Sequence, residues 1–294
     1  MSELSKELDF LKSGANIALL AKHVVDGFLM GMHSGTRHGV GGEFSQYRSY
    51  QPGDDIRQVD WKMYGRSDRY YIKEAETDTS VTVRFFLDAS ASMNYIENNI
   101  TRFRYASLIT ASLATLAYQQ GDAIALHIVN DESQKHLREK RGKSQLHRFY
   151  SLLDNPDCKG KWPIDSNWLT DSLKFQKREL WIVCSDLLDG VESWKKFVSV
   201  SEALGHEVQF IQVLGEGERT LNLKNSSTIK DPESDRERNI RVDAVRDQYL
   251  KNLNDYLEEL KQTLRSRKIE IDLFTMDTPV NKALHTFLKK RAVL

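Results

Sequence analysis

The sequence predicts an α/β protein: a doubly wound, mainly parallel sheet flanked by helices, with a smaller N-terminal annex of one helix and β-rich segments. Three observations predict it. From Val81 onward, short apolar runs alternate with segments of helical periodicity, the pattern of repeated βαβ units. The runs are apolar throughout, as strands covered on both faces are. Before Ser80 the chain opens with a helical pattern (Leu8, Leu11, Ile17, Leu20, Val24, Phe28), then becomes rich in Gly, Arg, Asp and aromatic residues. The expected division is therefore 1–80 for the annex and 81–294 for the sheet domain, with a polar insert at about 216–241.

Taken in order, Val81–Leu87 is a buried strand that ends in a polar loop. Arg102–Tyr118 is a helix, with Tyr105, Leu108, Ile109, Leu113 and Leu116 at helical spacing. Asp122–Val129 is the second strand, Leu146–Leu153 a short helix and Leu180–Cys184 the third strand. A helix over Ser193–Leu204 precedes the strand Val208–Val213. The long helix Val242–Leu264 alternates acids and bases, the mark of a solvated face with ion pairs four residues apart. A strand over Ile269–Phe274 and a helix over Val280–Lys290 close the chain.

The 294 residues hold 42 Lys+Arg against 42 Asp+Glu, so no global field draws the chain to nucleic acid or an anionic membrane. The most apolar stretch, Ile17–Met30, is broken by Lys22, His23 and Asp26 and is too short to span a bilayer. No signal-peptide pattern is apparent at the N-terminus, and Cys158 and Cys184 have no metal-type spacing. A reduced, cytoplasmic protein is expected. His33, His38 and His136 likewise lack ligand spacing, and no zinc site is expected.

Open α/β sheets bind ligands at the carboxyl ends of their strands, near the switch point. Two such ends carry acids: Asp88-Ala89-Ser90-Ala91-Ser92 after the first sheet strand, and Ser185-Asp186 after the third. A hard dication takes oxygen ligands and keeps several waters. The first loop supplies a carboxylate and two hydroxyls, and Asp186 a second carboxylate. Two carboxylates leave a bound dication almost neutralised and able to recruit an Asp or Glu from outside. Competing readings fit less well. A phosphatase of the Asp-x-Asp type needs an acid where Ser90 stands, a serine nucleophile needs a Gly-x-Ser-x-Gly elbow, and a plain helix cap explains Asp and Ser without any ligand.

Asp88-x-Ser90-x-Ser92 followed by Met93 resembles the metal-ion-dependent adhesion site of von Willebrand factor A domains. The upstream segment running from Gly39-Val40-Gly41-Gly42-Glu43-Phe44 through Arg48, Gly53-Asp54-Asp55 and Arg57 to Asp60-Trp61 is similar to the signature of the MoxR-associated A-domain family, domain of unknown function 58. Gly65-Arg66, Tyr71-Ile72-Lys73, Glu76 and the closing Ala283-Leu284, Phe287-Leu288 and Arg291 continue the match over most of the chain. The resemblance implies that Ser90 and Ser92 bind Mg²⁺ (or Mn²⁺ or Ca²⁺) directly, with Asp88 and Asp186 acting through water. A-domains add a middle-loop threonine; at the corresponding place stands Arg141–Gln145, which makes Ser144 the candidate.

Gly142-Lys143-Ser144 lacks the remaining glycine of a phosphate-binding loop, because position 137 is Leu137. The surrounding Lys135, Arg138, Lys140, Arg141, Lys143 and Arg148 form the strongest basic run, either a solvated edge hairpin or a docking surface for an acidic partner. In the annex, Glu43, Asp54, Asp55 and Asp60 are interleaved with Arg48, Arg57 and Arg66, a density that favours forked ion pairs fastening the segment to the sheet domain. Trp61 and Tyr64 are expected in the annex core.

The expected function is a non-enzymatic, Mg²⁺-dependent interaction module that offers its metal to an acidic side chain of a protein partner. No small-molecule substrate is expected. By resemblance, the partner is a MoxR-type AAA+ ATPase in assembly or activation of a client complex. The alternative is a metal-dependent hydrolase of phosphate esters or nucleic acid built on Asp54, Asp55 and Asp60.

Overall fold

A computed structural model describes residues 16–33, 47–51, 59, 61–73, 81–154, 157–165, 168–169, 178–221, 226–230 and 237–291. The chain forms two compact units, one made of Met1–Met32 with Val81–Leu294, the other of His33–Ser80. The division at residue 80 therefore needs a correction at its N-terminal side. Helix α1 (Ile17–His33) belongs to the sheet unit, because its stripe of Ile17, Leu20, Ala21 and Val24 is buried in the sheet's own apolar cluster.

In the smaller unit, β1 (Tyr47–Ser49) pairs antiparallel with β2 (Tyr71–Lys73), and α2 (Trp61–Ser67) lies between them in sequence. Tyr64 stacks on Tyr70 with ring centroids 4.5 Å apart. Trp61, expected in the core, is 57% exposed: it opens the short helix and meets Tyr64 edge-on at 6.2 Å.

The larger unit continues with β3 (Thr82–Asp88), a 3₁₀ turn over Ala91–Asn94, the two-residue strands β4 (Ile96–Glu97) and β5 (Ile100–Thr101), and α3 (Arg102–Gln119). Next come β6 (Ala123–Val129), β7 (Gln134–Lys140), α4 (Lys143–Leu153), β8 (Glu179–Ser185), α5 (Val191–Ala203) and β9 (Glu207–Leu214). The polar insert is ordered as α6 (Glu216–Thr220) and a hairpin of β10 (Ser226–Lys230) with β11 (Glu237–Arg241). Helix α7 (Val242–Arg265), β12 (Ile271–Thr275) and α8 (Val280–Arg291) complete it.

The main sheet has the order β12-β9-β8-β3-β6-β7. All its neighbours are parallel except β7, which runs antiparallel to β6 at the edge. The chain leaves β3 toward β6 and later returns to the other side of β3 as β8. The switch point therefore lies between the carboxyl ends of β3 and β8.

Period-two alternation on β3 feeds two cores. Val83, Phe85 and Leu87 join the cluster that also contains residues of α1, α3, α4 and α8. Phe86 faces the opposite cluster, with Trp181, Trp194, Phe197 and Phe210. Arg84 and Asp88 share the side of Phe86. Arg84 is 1% exposed and fully engaged: its Nε and Nη2 donate to the two carboxylate oxygens of Glu179 at 2.7 and 2.8 Å, and Nη2 also donates to Glu139 at 3.0 Å. Its Nη1 lies 3.2 Å from His127 Nε2, and Trp181 Nε1 donates to Glu179.

Candidate metal centre

Asp88 ends β3 and Ser185 ends β8, one step beyond the paired residues Leu87 and Cys184. Their adjacency produces the first site contact: Ser185 Oγ donates to Asp88 Oδ2 at 2.5 Å. The backbone amide of Ser90 donates to Asp88 Oδ1 at 2.8 Å, bending the chain straight after the strand. The 3₁₀ turn then buries Met93 and sets the hydroxyls of Ser90 and Ser92 3.0 Å apart. Asp186 accepts the Leu188 amide at 3.1 Å on Oδ1.

Asp88 and Asp186 are fully buried, and Asp189 completes a trio whose carboxylate oxygens lie within 4.8 Å of one another. Burial first, and then the charge of Asp186, push the Asp88 carboxyl up to about 7, against the pull of hydrogen bonds from Ser185 and Ser90. The cluster is thus short of positive charge. Arg102, 1% exposed at the start of α3, supplies one: it donates to Asp186 Oδ2 and to Glu218 of α6, and to Ser92 O at 3.2 Å. Burial opposes its charge, but Asp186 and Glu218 hold its pKa above the ordinary guanidinium value. The Tyr95 ring lies beneath it, 4.9 Å from the guanidinium carbon.

Three acids, two hydroxyls and one guanidinium make a largely buried cluster that is oxygen-rich and net negative. This donor set fits a hard dication held by Ser90, Ser92, Asp88 and Asp186, with Asp189 beside them.

A third loop closes the group. Gly160 O accepts the Ala91 amide at 2.9 Å, and Lys159 N donates to Ala89 O at 2.9 Å. Asn130, buried after β6, donates to Ala89 O at 3.1 Å and to Asp157 O at 3.2 Å, tying three loops together. Gly160 has φ +57°, and a Cβ there would stand 1.9 Å from Asp131 Oδ1, so glycine is required. Cys158, in the same loop, has its thiol pushed up to about 12, chiefly by burial and then by Asp88. It is not a ready nucleophile at neutral pH.

Of the residues singled out in the sequence, Asp88, Ser90, Ser92 and Asp186 come together. Ser144 does not, and this corrects the middle-loop assignment. β7 runs antiparallel and pairs Lys140 with Ile124, while the neighbouring Gln145 donates to Ile124 O at 3.0 Å. Ile124 is five residues below Val129, roughly 16 Å down the strand. Ser144 therefore lies at the opposite end of the sheet, and the loop beside Asp88 is Asp157–Lys161. Lys135, Arg138, Lys140, Arg141 and Lys143 line the exposed β7 edge and the turn after it. In the ion-pair set, Glu43, Asp54, Asp55, Arg57 and Asp60 lie outside the described residues, the backbone of Arg48 is in β1, and Arg66 is exposed at the end of α2.

Asp189, Arg102 and Asn130 were missed. Arg102 carries a usable signal: with Ala106, Ile109 and Leu113 it forms one helical stripe that is otherwise apolar.

The family model described as "Protein of unknown function DUF58" matches residues 46–258. The uncharacterized proteins Rv1480 of Mycobacterium tuberculosis (strain H37Rv) and Mb1516 of Mycobacterium bovis are each 24% identical over 253 residues, 85% of this chain and 79% of theirs. Among solved structures, the conserved hypothetical protein BatB from Bacteroides thetaiotaomicron aligns with a TM-score of 0.42 at 17% identity, over 73% of this chain and 100% of that one. The SpRpn10 VWA domain aligns with a TM-score of 0.40 at 9% identity, over 70% and 94%. Among the described residues, no helix is long and apolar enough to cross a membrane.

Proposed function

Since the chain belongs to the DUF58 family and folds as a mainly parallel sheet flanked by helices, we propose that it is a non-enzymatic, metal-dependent protein-interaction module of the von Willebrand A type. The observation that carries this reading is the trio Asp88, Asp186 and Asp189, gathered within 4.8 Å at the switch point beside two serine hydroxyls. A bound Mg²⁺, or Mn²⁺ or Ca²⁺, would supply an electrophilic position for the carboxylate of a partner.

The chain's own residues prepare that position. Ser185 and the Ser90 amide fix both oxygens of Asp88, and Leu188 N fixes Asp186. Burial keeps bulk water from competing for these groups. The nearby Cys158 thiol is held protonated, chiefly by burial. Binding is the chemistry proposed for this arrangement. The proposed partner is a MoxR-type AAA+ ATPase that presents an Asp or Glu.

The test is calorimetric titration of the purified chain with Mg²⁺ and Mn²⁺, followed by binding to a purified MoxR-type ATPase from the same organism, with the ion or with EDTA. Asp88→Ala and the double variant Ser90→Ala/Ser92→Ala are run in parallel. The expected result is a single ion site lost in both variants, and ATPase binding that needs the ion. Binding of the ATPase equally by all forms and in EDTA would overturn the metal-dependent reading.

A further inference from the structure

The second concentration of charge lies far from the carboxylates, along β7. Among the described residues, β7 has a strand neighbour on one side only, so alternate main-chain amides and carbonyls face outward along its length. Every residue from Gln134 to Lys140 is exposed except Leu137, which is half-buried. Lys135, Arg138 and Lys140 lie on this edge, and Arg141, Lys143 and Arg148 extend the same charge over the following turn and the exposed side of α4.

The single acid of the strand does not cancel them. The half-exposed Glu139 pairs with buried Arg84 at 3.0 Å; burial pushes its pKa up, but its own backbone amide and then Arg84 bring it below the ordinary value. Asp131 and Glu132 mark the upper end of the patch, in the turn before the strand. In a chain with 42 basic and 42 acidic residues, such a one-sided edge is a local property, not overflow from a basic protein. The opposite edge makes the contrast plain. β12 contains no Lys or Arg, and its Asp272 is paired with Lys290 at 2.7 Å.

We infer that the β7 edge is a docking site for an extended, acidic peptide segment of a partner protein, which adds as the next strand of the sheet. Backbone pairing supplies the direction and register, and the basic side chains select acidic residues. The regular part of the edge is Gln134–Leu137. Beyond it the ladder shifts at a bulge between Ile124 and Leu126, closed by Gln145, whose amide donates to both Ile124 O and Arg138 O. Arg138 and Lys140 therefore flank the pairing stretch as charge and not as register. Nucleic acid suits the patch less well, because β7 carries no Trp, Tyr or Phe on which bases stack.

The experiment is fluorescence anisotropy with a labelled peptide of alternating Glu and Val, in EDTA so that the carboxylate cluster plays no part. Controls are the same peptide N-methylated at alternate backbone positions, and a short duplex DNA. The peptide should bind, and N-methylation should weaken it about tenfold by removing main-chain donors. Combined Lys135→Glu, Arg138→Glu and Lys140→Glu should weaken it about tenfold or more, with an unchanged thermal midpoint. Should that variant fail to fold, Arg141→Glu with Lys143→Glu, outside the strand, should still weaken binding, and amide shifts in the wild-type protein should cluster at Gln134–Leu137. Equal binding of the methylated peptide, tighter binding of the DNA, or no binding at all would overturn the proposal and leave the charges as a guard against edge-to-edge aggregation.

Discussion

β3 and β8 carry two buried polar clusters on the same face, and they differ in their charge balance. In the lower one, Arg84 is gripped by Glu179 through two hydrogen bonds, and the second acid, Glu139, is half-exposed to water, so the buried charges answer each other one for one. In the upper one, Asp88, Asp186 and Asp189 crowd within 4.8 Å, with one guanidinium divided between Asp186 and Glu218. The lower cluster is complete as it stands. The upper one keeps an acid excess in a dry setting, and the upward shift of Asp88 records what that costs. A polar cluster that satisfies itself serves the fold; one left short of a charge is arranged for something that arrives later.

The largest expected effect breaks the balanced cluster. Arg84→Met strands Glu179 in the interior and should cost about 3–5 kcal/mol in urea unfolding, while Arg84→Met with Glu179→Met recovers much of it. A smaller cost is expected at the upper cluster from Gly160→Ala, about 1–3 kcal/mol, because the new Cβ meets Asp131 in a left-handed turn. Ion affinity measured by calorimetry should fall in that variant and stay unchanged in the Arg84/Glu179 pair.

Asp88→Asn should do the reverse and stabilise the ion-free protein by about 1–2 kcal/mol at pH 8, since it removes a costly buried charge. The sign follows from a folded-state value near 7 against an ordinary 3.8: ionising Asp88 weakens the fold as pH rises through that window. The gain therefore shrinks toward pH 4, and Mg²⁺ binding disappears throughout.

The smallest effect in the wild-type protein lies in the acid limb. His127 is depressed to about 3 by burial, then by Arg84 and His136, from an ordinary 6.5. The unfolded chain takes up that proton first, so stability present above pH 6.5 is lost as pH falls toward 3. Between about pH 4 and 6.5 Asp88 offsets it, so the wild type should stay nearly flat and then lose about 1.4 kcal/mol per pH unit. Asp88→Asn should expose the same slope from pH 6.5 downward, and His127→Gln should abolish it.

The parallel strands were legible because two-sided burial demands unbroken apolar runs, as in β3 and β8. β7 was legible only through its charges, as one of two readings, a solvated edge hairpin, because Gln134–Lys140 offers no apolar face to a periodicity argument. The helical stripe of α1 was visible, but periodicity does not say against which unit a helix packs. At the site, Asp88, Ser90, Ser92 and Asp186 were readable from their places at strand ends. Ser144 misled because the basic turn suggested a middle loop, whereas the direction of the hairpin carries it to the other end. Asp189, four residues beyond the strand, has the look of an ordinary helix-start acid. Arg102 could be told from its neighbour Arg104, which pairs at the surface with Asp154, only by its place on the buried stripe.

Arg102 also bears on how the protein comes to exist in a cell. Small zinc modules are unfolded until their metal arrives, so their abundance follows metal supply. Here the guanidinium gives Asp186 a permanent counter-charge, and Asn130, Gly160 and Ser185 stitch the loops through protein groups alone. Folding is therefore expected to proceed without the ion, with the same thermal midpoint in EDTA as in buffer alone. An ion would arrive as a late guest in a finished frame, free to come and go without putting the chain at risk of degradation.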